Sequence, residues 1–198
     1  MQPKDTDIRN LALYAPRIAY GMIAGVPRVP FLADIPIQFT SSAVDAPAII
    51  ASFDNNLVSD TLIDNVSFTL FQQNSFPGSP FQSLYFSQLK EQTGVGVKLD
   101  VYGGPKYTVS DGPVDLANLF PLLKTTWPGG WPLFKQSNVK IAAVLFQTPV
   151  SVPFDVHILF NGFQFLDKVM DDLSDNDARC RLRKLGIESP DLADLLKP

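Results

Sequence analysis

The sequence predicts a mainly β protein: an antiparallel β-sandwich or jelly-roll-like domain, with an extended N-terminal arm and a short C-terminal helical tail. Three observations predict it. Short runs alternate apolar and polar side chains, the period of a strand with one buried face. The chain carries 17 Pro and 12 Gly, which interrupt helices and shape turns. Its rings are mostly Phe, 15 against 2 Trp and 5 Tyr, and Phe suits a pleated, half-buried surface. Strands do not alternate with long helices, so a parallel α/β fold is not expected.

Residues 1–34 form the expected arm. Pro16, Pro27, Pro30 and Pro36 punctuate an apolar run containing Leu13, Tyr14, Ile18, Tyr20, Met22, Ile23 and Phe31. Proline at these spacings favours extended backbone over a long helix. Such a segment either wraps its own domain as an edge strand plus loops or docks in a groove of a neighbouring subunit. The second alternative makes those seven residues partner-binding.

Residues 35–166 read as the sandwich. Ile35–Ser41 alternates, and Pro36 marks a strand start or an edge. Ala48–Phe53 and Val66–Phe71 follow, with turn chemistry at Asp54-Asn55-Asn56 between them. Asn74–Pro80 reads as a loop, and residues 81–92 fit either a strand or a helix. Val95–Tyr102 is the clearest strand, with Val95, Val97, Leu99 and Val101 inward and Lys98 and Asp100 outward. Gly103-Gly104-Pro105 turns into Lys106–Val109. Val114–Leu123 predicts a short helix and Trp127–Pro132 a ring-flanked loop. Val139–Phe146 is apolar on both faces, as a central strand covered on both sides would be. Asn161-Gly162 between Phe154–Phe160 and Phe163–Phe165 predicts a hairpin turn.

Residues 167–198 hold 14 charged residues and form the expected tail. Ser174 or Asp175 caps a helix ending near Leu185-Gly186, and Ser189-Pro190 starts a second one. Arg179, Arg181 and Arg183 make its basic cluster, a second candidate partner-binding surface.

Composition limits the chemistry. A chain of 198 residues suits one domain with extensions and buries a core without metal or disulfide staples. Charged residues are only 18%, against roughly 25% in typical soluble domains, which argues against global disorder. A net charge of −4 argues against dedicated nucleic-acid binding. One Cys and one His exclude a disulfide framework or a Cys/His zinc site within one chain. His157 reads as a partly exposed strand residue, and Cys180 as a small helical residue. The acidic run Asp167–Asp177 lacks the glycine and glutamate of a calcium loop. Neither a nucleophile motif nor a phosphate loop is found. The expectation is therefore no enzyme activity and no cofactor. The expected location is a reducing cytoplasm or a particle assembled there, since no secretory signal or membrane-spanning segment is apparent. The rings of Trp127, Trp131 and Tyr102 offer an alternative reading as a sugar-stacking platform of a carbohydrate-binding module.

The arm Pro16–Pro36, the strands Asn65–Gln73 and Val95–Tyr102, and the ending Asn161-Gly162-Phe163-Gln164-Phe165 resemble, in overall style, virion proteins of tailed bacteriophages. That broad group comprises capsid, decoration and connector subunits. The resemblance implies a non-enzymatic subunit that joins or covers other copies or other virion proteins. It assigns no individual residue a role.

Overall fold

The computed structural model describes residues 5–40, 48–53, 59–72, 82–84, 94–102, 107–146, 154–166 and 168–187. The chain opens with helices α1 (Asp5–Tyr14) and α2 (Pro16–Ile23). Strands β1 (Arg28–Phe39), β2 (Ile49–Phe53), β3 (Thr61–Gln72), β4 (Gln82–Leu84), β5 (Val95–Tyr102), β6 (Tyr107–Thr108) and β7 (Val114–Asp115) follow. Helix α3 (Leu116–Thr126) leads to β8 (Trp131–Leu133), β9 (Asn138–Leu145) and β10 (Phe154–Phe165). Helices α4 (Lys168–Asp171) and α5 (Asp175–Lys184) complete the described chain.

The strands form two antiparallel sheets, compatible with a β-sandwich. The first runs β1-β10-β3-β4, with β8 also on β3. The second runs β2-β9-β5-β6, with β7 also on β5. The pairing is nested: β1 with β10, β2 with β9, β3 with β8, and β5 with β6 and β7. Ile35, Ile37, Val66, Val156, Ile158 and Phe160 of the first sheet share one core with Val95, Val97, Leu99, Val139 and Ile141 of the second. Leu116, Leu119 and Leu123 of α3 join it. The alternation in Val95–Val101 is the cause on the second sheet, since all four inward side chains are essentially inaccessible to water.

The N-terminal segment is not an extended arm. It forms two helices and an edge strand, and the boundary expected after residue 34 falls inside β1. Pro16 stands in the first turn of α2, where its missing N–H costs nothing. Pro30 and Pro36 fall on the exposed positions of β1, which among the described residues pairs only with β10. The helices bury Leu11, Ala12, Ala15, Ile18 and Ala19 in a second core with Leu62, Phe165, Met170 and Leu182. The helical tail thus packs on the N-terminal helices as well as on the strands. α5 starts at the cap Ser174, whose hydroxyl accepts the Asp177 N–H at 3.1 Å.

Three other expectations change. Asn161-Gly162 makes no hairpin: β10 is one twelve-residue strand whose register with β3 shifts there, a bulge. Gly162 is required by close approach, because a Cβ would run into the Leu62 carbonyl oxygen. Gly162→Ala is expected to cost about 2–3 kcal/mol, read as a lower denaturation midpoint. The helix expected from Val114 begins at Leu116, after the short strand β7, with Asp115 accepting the Ala117 N–H at 2.9 Å as its cap. β9 is central in its sheet, and among the described residues its inner face is buried while its outer residues Ala142 and Val144 are half-buried. The expected turns at 54–56 and 103–105, the loop 74–80 and the helix after Ser189 lie outside the described residues. So does the 81–92 segment except for β4.

Candidate functional site

The described surface contains a groove of about 360 Å³ at the meeting point of α1, α3, β6 and β8. Tyr14, Thr108, Val109, Thr126, Trp127, Pro132 and Phe134 line it. The local sequence explains its shape. Trp127 ends α3, its N–H donating to the Leu123 carbonyl at 2.8 Å. The turn that follows closes when the Gly130 N–H donates to the Trp127 carbonyl at 2.9 Å. Gly130 has φ +113°, and a Cβ there would also meet the Leu62 side chain. The Tyr14 hydroxyl accepts the Gly129 N–H at 3.1 Å and donates to the Gly130 carbonyl at 3.2 Å. One side chain of α1 therefore fixes the backbone of the Trp127–Gly130 turn.

The two tryptophans flanking that turn differ in burial: Trp127 is half-buried, packing against the main core with its ring 6.2 Å from that of Trp131. Trp131 begins β8, pairs with Ile63 and is 1% exposed, its ring 6.0 Å from Phe160. It is a core residue, so the expected sugar platform of Trp127, Trp131 and Tyr102 is not assembled. Tyr102 is exposed at the end of β5, opposite Asn138, and does not line the groove. Trp127 alone of the three does, beside Tyr14 and Phe134, which the sequence reading had not grouped with it.

The expected partner-binding residues are largely used within the chain. Ile18 is fully buried in the second core, and Tyr14, Tyr20, Met22 and Ile23 pack against it. Leu13 is half-buried. Phe31 packs against the main core. Arg179 donates to the Leu13 carbonyl at 3.2 Å, and Arg181 lies over the Tyr20 ring while donating to its hydroxyl at 3.3 Å. Arg183 is exposed. The basic cluster and the apolar N-terminal segment thus meet each other.

A polar junction beneath these helices was not legible in the sequence. Asp60, just before β3, is 3% exposed. Its Oδ1 accepts from Arg17 of α2 at 2.8 Å and from the Lys135 backbone N–H at 2.9 Å. Arg17 Nε lies 3.6 Å from Asp175 of α5, and Lys135 Nζ 3.0 Å from Asp171 of α4. The Arg17 guanidinium also sits 5.7 Å from the Phe134 ring centre. Asp60 Oδ2 is buried without a hydrogen-bond partner among the described residues. Burial raises the Asp60 pKa above the ordinary carboxylate value, against the lowering influence of the Lys135 N–H and Arg17. Asp171 and Asp175 raise it further.

His157 sits on the outer face of the first sheet, its Nδ1 3.0 Å from Asp34 Oδ1. Cys180 is exposed. Among the described residues no three His, Cys, Asp or Glu side chains cluster as metal ligands, and no helix is long and apolar enough to cross a membrane. No protein-family model matches the chain, no curated protein matches its sequence, and no solved structure matches its fold.

Proposed function

We propose that the chain is a non-enzymatic assembly subunit of a viral particle of the tailed-phage kind, with a jelly-roll domain as its body. The nested strand pairing carries this reading. First with last, second with second-last and so inward is the order produced by rolling one long antiparallel hairpin into two sheets. Viral coat and lectin domains share that wrap. Fold alone does not assign function, so the contact surface must carry the rest.

Because the N-terminal segment is committed to its own core, the subunit contact falls elsewhere. The outer face of the second sheet supports it best. Ile50 is 55% exposed and pairs with Ala142, and Val144 lies one pleat further along β9. Phe146, 48% exposed, lays its ring over Gly96. Lys98 stands directly across from Ala142, on the side away from Ile50, and Asp100 and Lys140 pair in the next row, so charged side chains border the apolar ones. Among the described residues β2 pairs only with β9 and so offers a sheet edge beside this apolar row. A second copy of the chain, apolar row against apolar row, covers it.

Light scattering on the purified chain tests this surface. The parent is expected to form multimers, and Ile50→Lys to reduce them at least tenfold without lowering the melting temperature, since Ile50 lies outside both cores. A strictly monomeric parent, or a variant that multimerises equally, contradicts the reading.

A further inference from the structure

We propose that the groove between the end of α1 and the Trp127–Gly130 turn binds a neutral saccharide ring. This goes beyond the assembly reading and stands on separate residues.

Three properties of the groove select the occupant. The first is its wall. Tyr14, Trp127 and Phe134 bring three rings from separate stretches of chain, and the Tyr14 ring is held by two hydrogen bonds to the turn. A wall already fixed in place lowers the ordering cost of binding. The volume, about 360 Å³, sits at the small end of the roughly 300–1,000 Å³ typical of ligand pockets, which suits one or two rings.

The second property is charge. Among the described lining residues there is no carboxylate, amine, guanidinium or imidazole, and the Arg17 guanidinium near the Phe134 ring is engaged by Asp60. A phosphate, sulfate or carboxylate on the occupant would lose water without gaining a charged partner among those residues.

The third is hydrogen-bond polarity. The Thr108 hydroxyl donates to Asp100 Oδ1 at 2.9 Å, and the Thr126 hydroxyl donates to the Leu122 carbonyl at 2.9 Å. The Tyr14 O–H donates to the Gly130 carbonyl. Each hydroxyl has committed its one proton, and what the two threonines retain is acceptor capacity. The occupant must therefore supply donors of its own. A purely apolar occupant would cover these acceptors without satisfying them. A pyranose ring meets all three conditions: a C–H face for the electron-rich faces of the rings, hydroxyl donors at its edge, and no charge.

The test is binding of the purified chain to an immobilised array of neutral and anionic glycans. Retention is expected on a subset of neutral glycans only. Trp127→Ala is expected to weaken it several-fold, since it removes one of the three rings of the wall. Thr108→Val, which removes an acceptor at an exposed position, is expected to weaken it several-fold with an unchanged melting temperature. The Thr108 variant also decides the matter if Trp127→Ala fails to fold. No retention of any neutral glycan, retention that follows sulfate or carboxylate groups, or full retention by Thr108→Val each overturns the proposal.

Discussion

Arg17→Ala is expected to destabilise the chain by about 3 kcal/mol at pH 7, and by progressively less as the pH falls. The arginine is the main countercharge to a carboxylate that is almost wholly buried. Removing one member of such a pair costs about 3–5 kcal/mol, because the other remains as an uncompensated charge; the low end applies because Arg17 is itself partly exposed. The sign with pH follows from Asp60. Its pKa is raised in the folded state, so the folded chain holds that proton more tightly than the unfolded one. Its contribution is fully present below the unfolded value, about 3.9, and is lost as pH rises through the folded value. Without Arg17 the folded value climbs further, so the loss, which starts at the same unfolded value, continues to higher pH and grows deeper. Denaturant unfolding of parent and variant between pH 4 and pH 7 measures the difference. A deficit that is constant, or that grows towards acid, contradicts the assignment. Adding Asp60→Asn to the variant is expected to restore much of the loss, as removing both charges does for buried pairs.

Deleting residues 1–24 is expected to leave the rest of the chain insoluble or unfolded. The deletion removes Leu11, Ala12, Ala15, Ile18 and Ala19 from the second core and uncovers Leu62, Phe165, Met170 and Leu182. Each large buried side chain contributes about 1.5–3 kcal/mol relative to exposure, and the whole of a domain's stability is about 5–15 kcal/mol. The loss of Arg17 adds to this. An extended arm serving only a neighbour would give the opposite result, a soluble and cooperatively melting remainder. Circular dichroism melts of the truncated chain separate the two.

What was legible in the sequence is whatever a single strand or cap encodes by itself. Val95–Val101 alternates because one face of β5 is buried, and Ser174 caps α5 through a bond three residues away. The misread features depend on partners distant in the chain. Pro16 and Pro30 are alike as proline, but one starts a helix and the other lies on an edge strand. Asn161-Gly162 carries turn chemistry, yet the glycine answers to the Leu62 carbonyl passing beside it. Trp131 looked like a loop ring, but three residues of pairing with β3 place it in the core. The groove was illegible for the same reason. Tyr14 and Gly130 are 116 residues apart, and only the fold brings the hydroxyl to the turn.

The central claim, that this is a particle subunit, is tested most directly by density-gradient sedimentation of material from the native source, with the chain located by its peptides. The account predicts a sharp band at the density of a large assembly, containing this chain with other structural proteins. Recovery of all of it at the top of the gradient, with the free proteins, would contradict it.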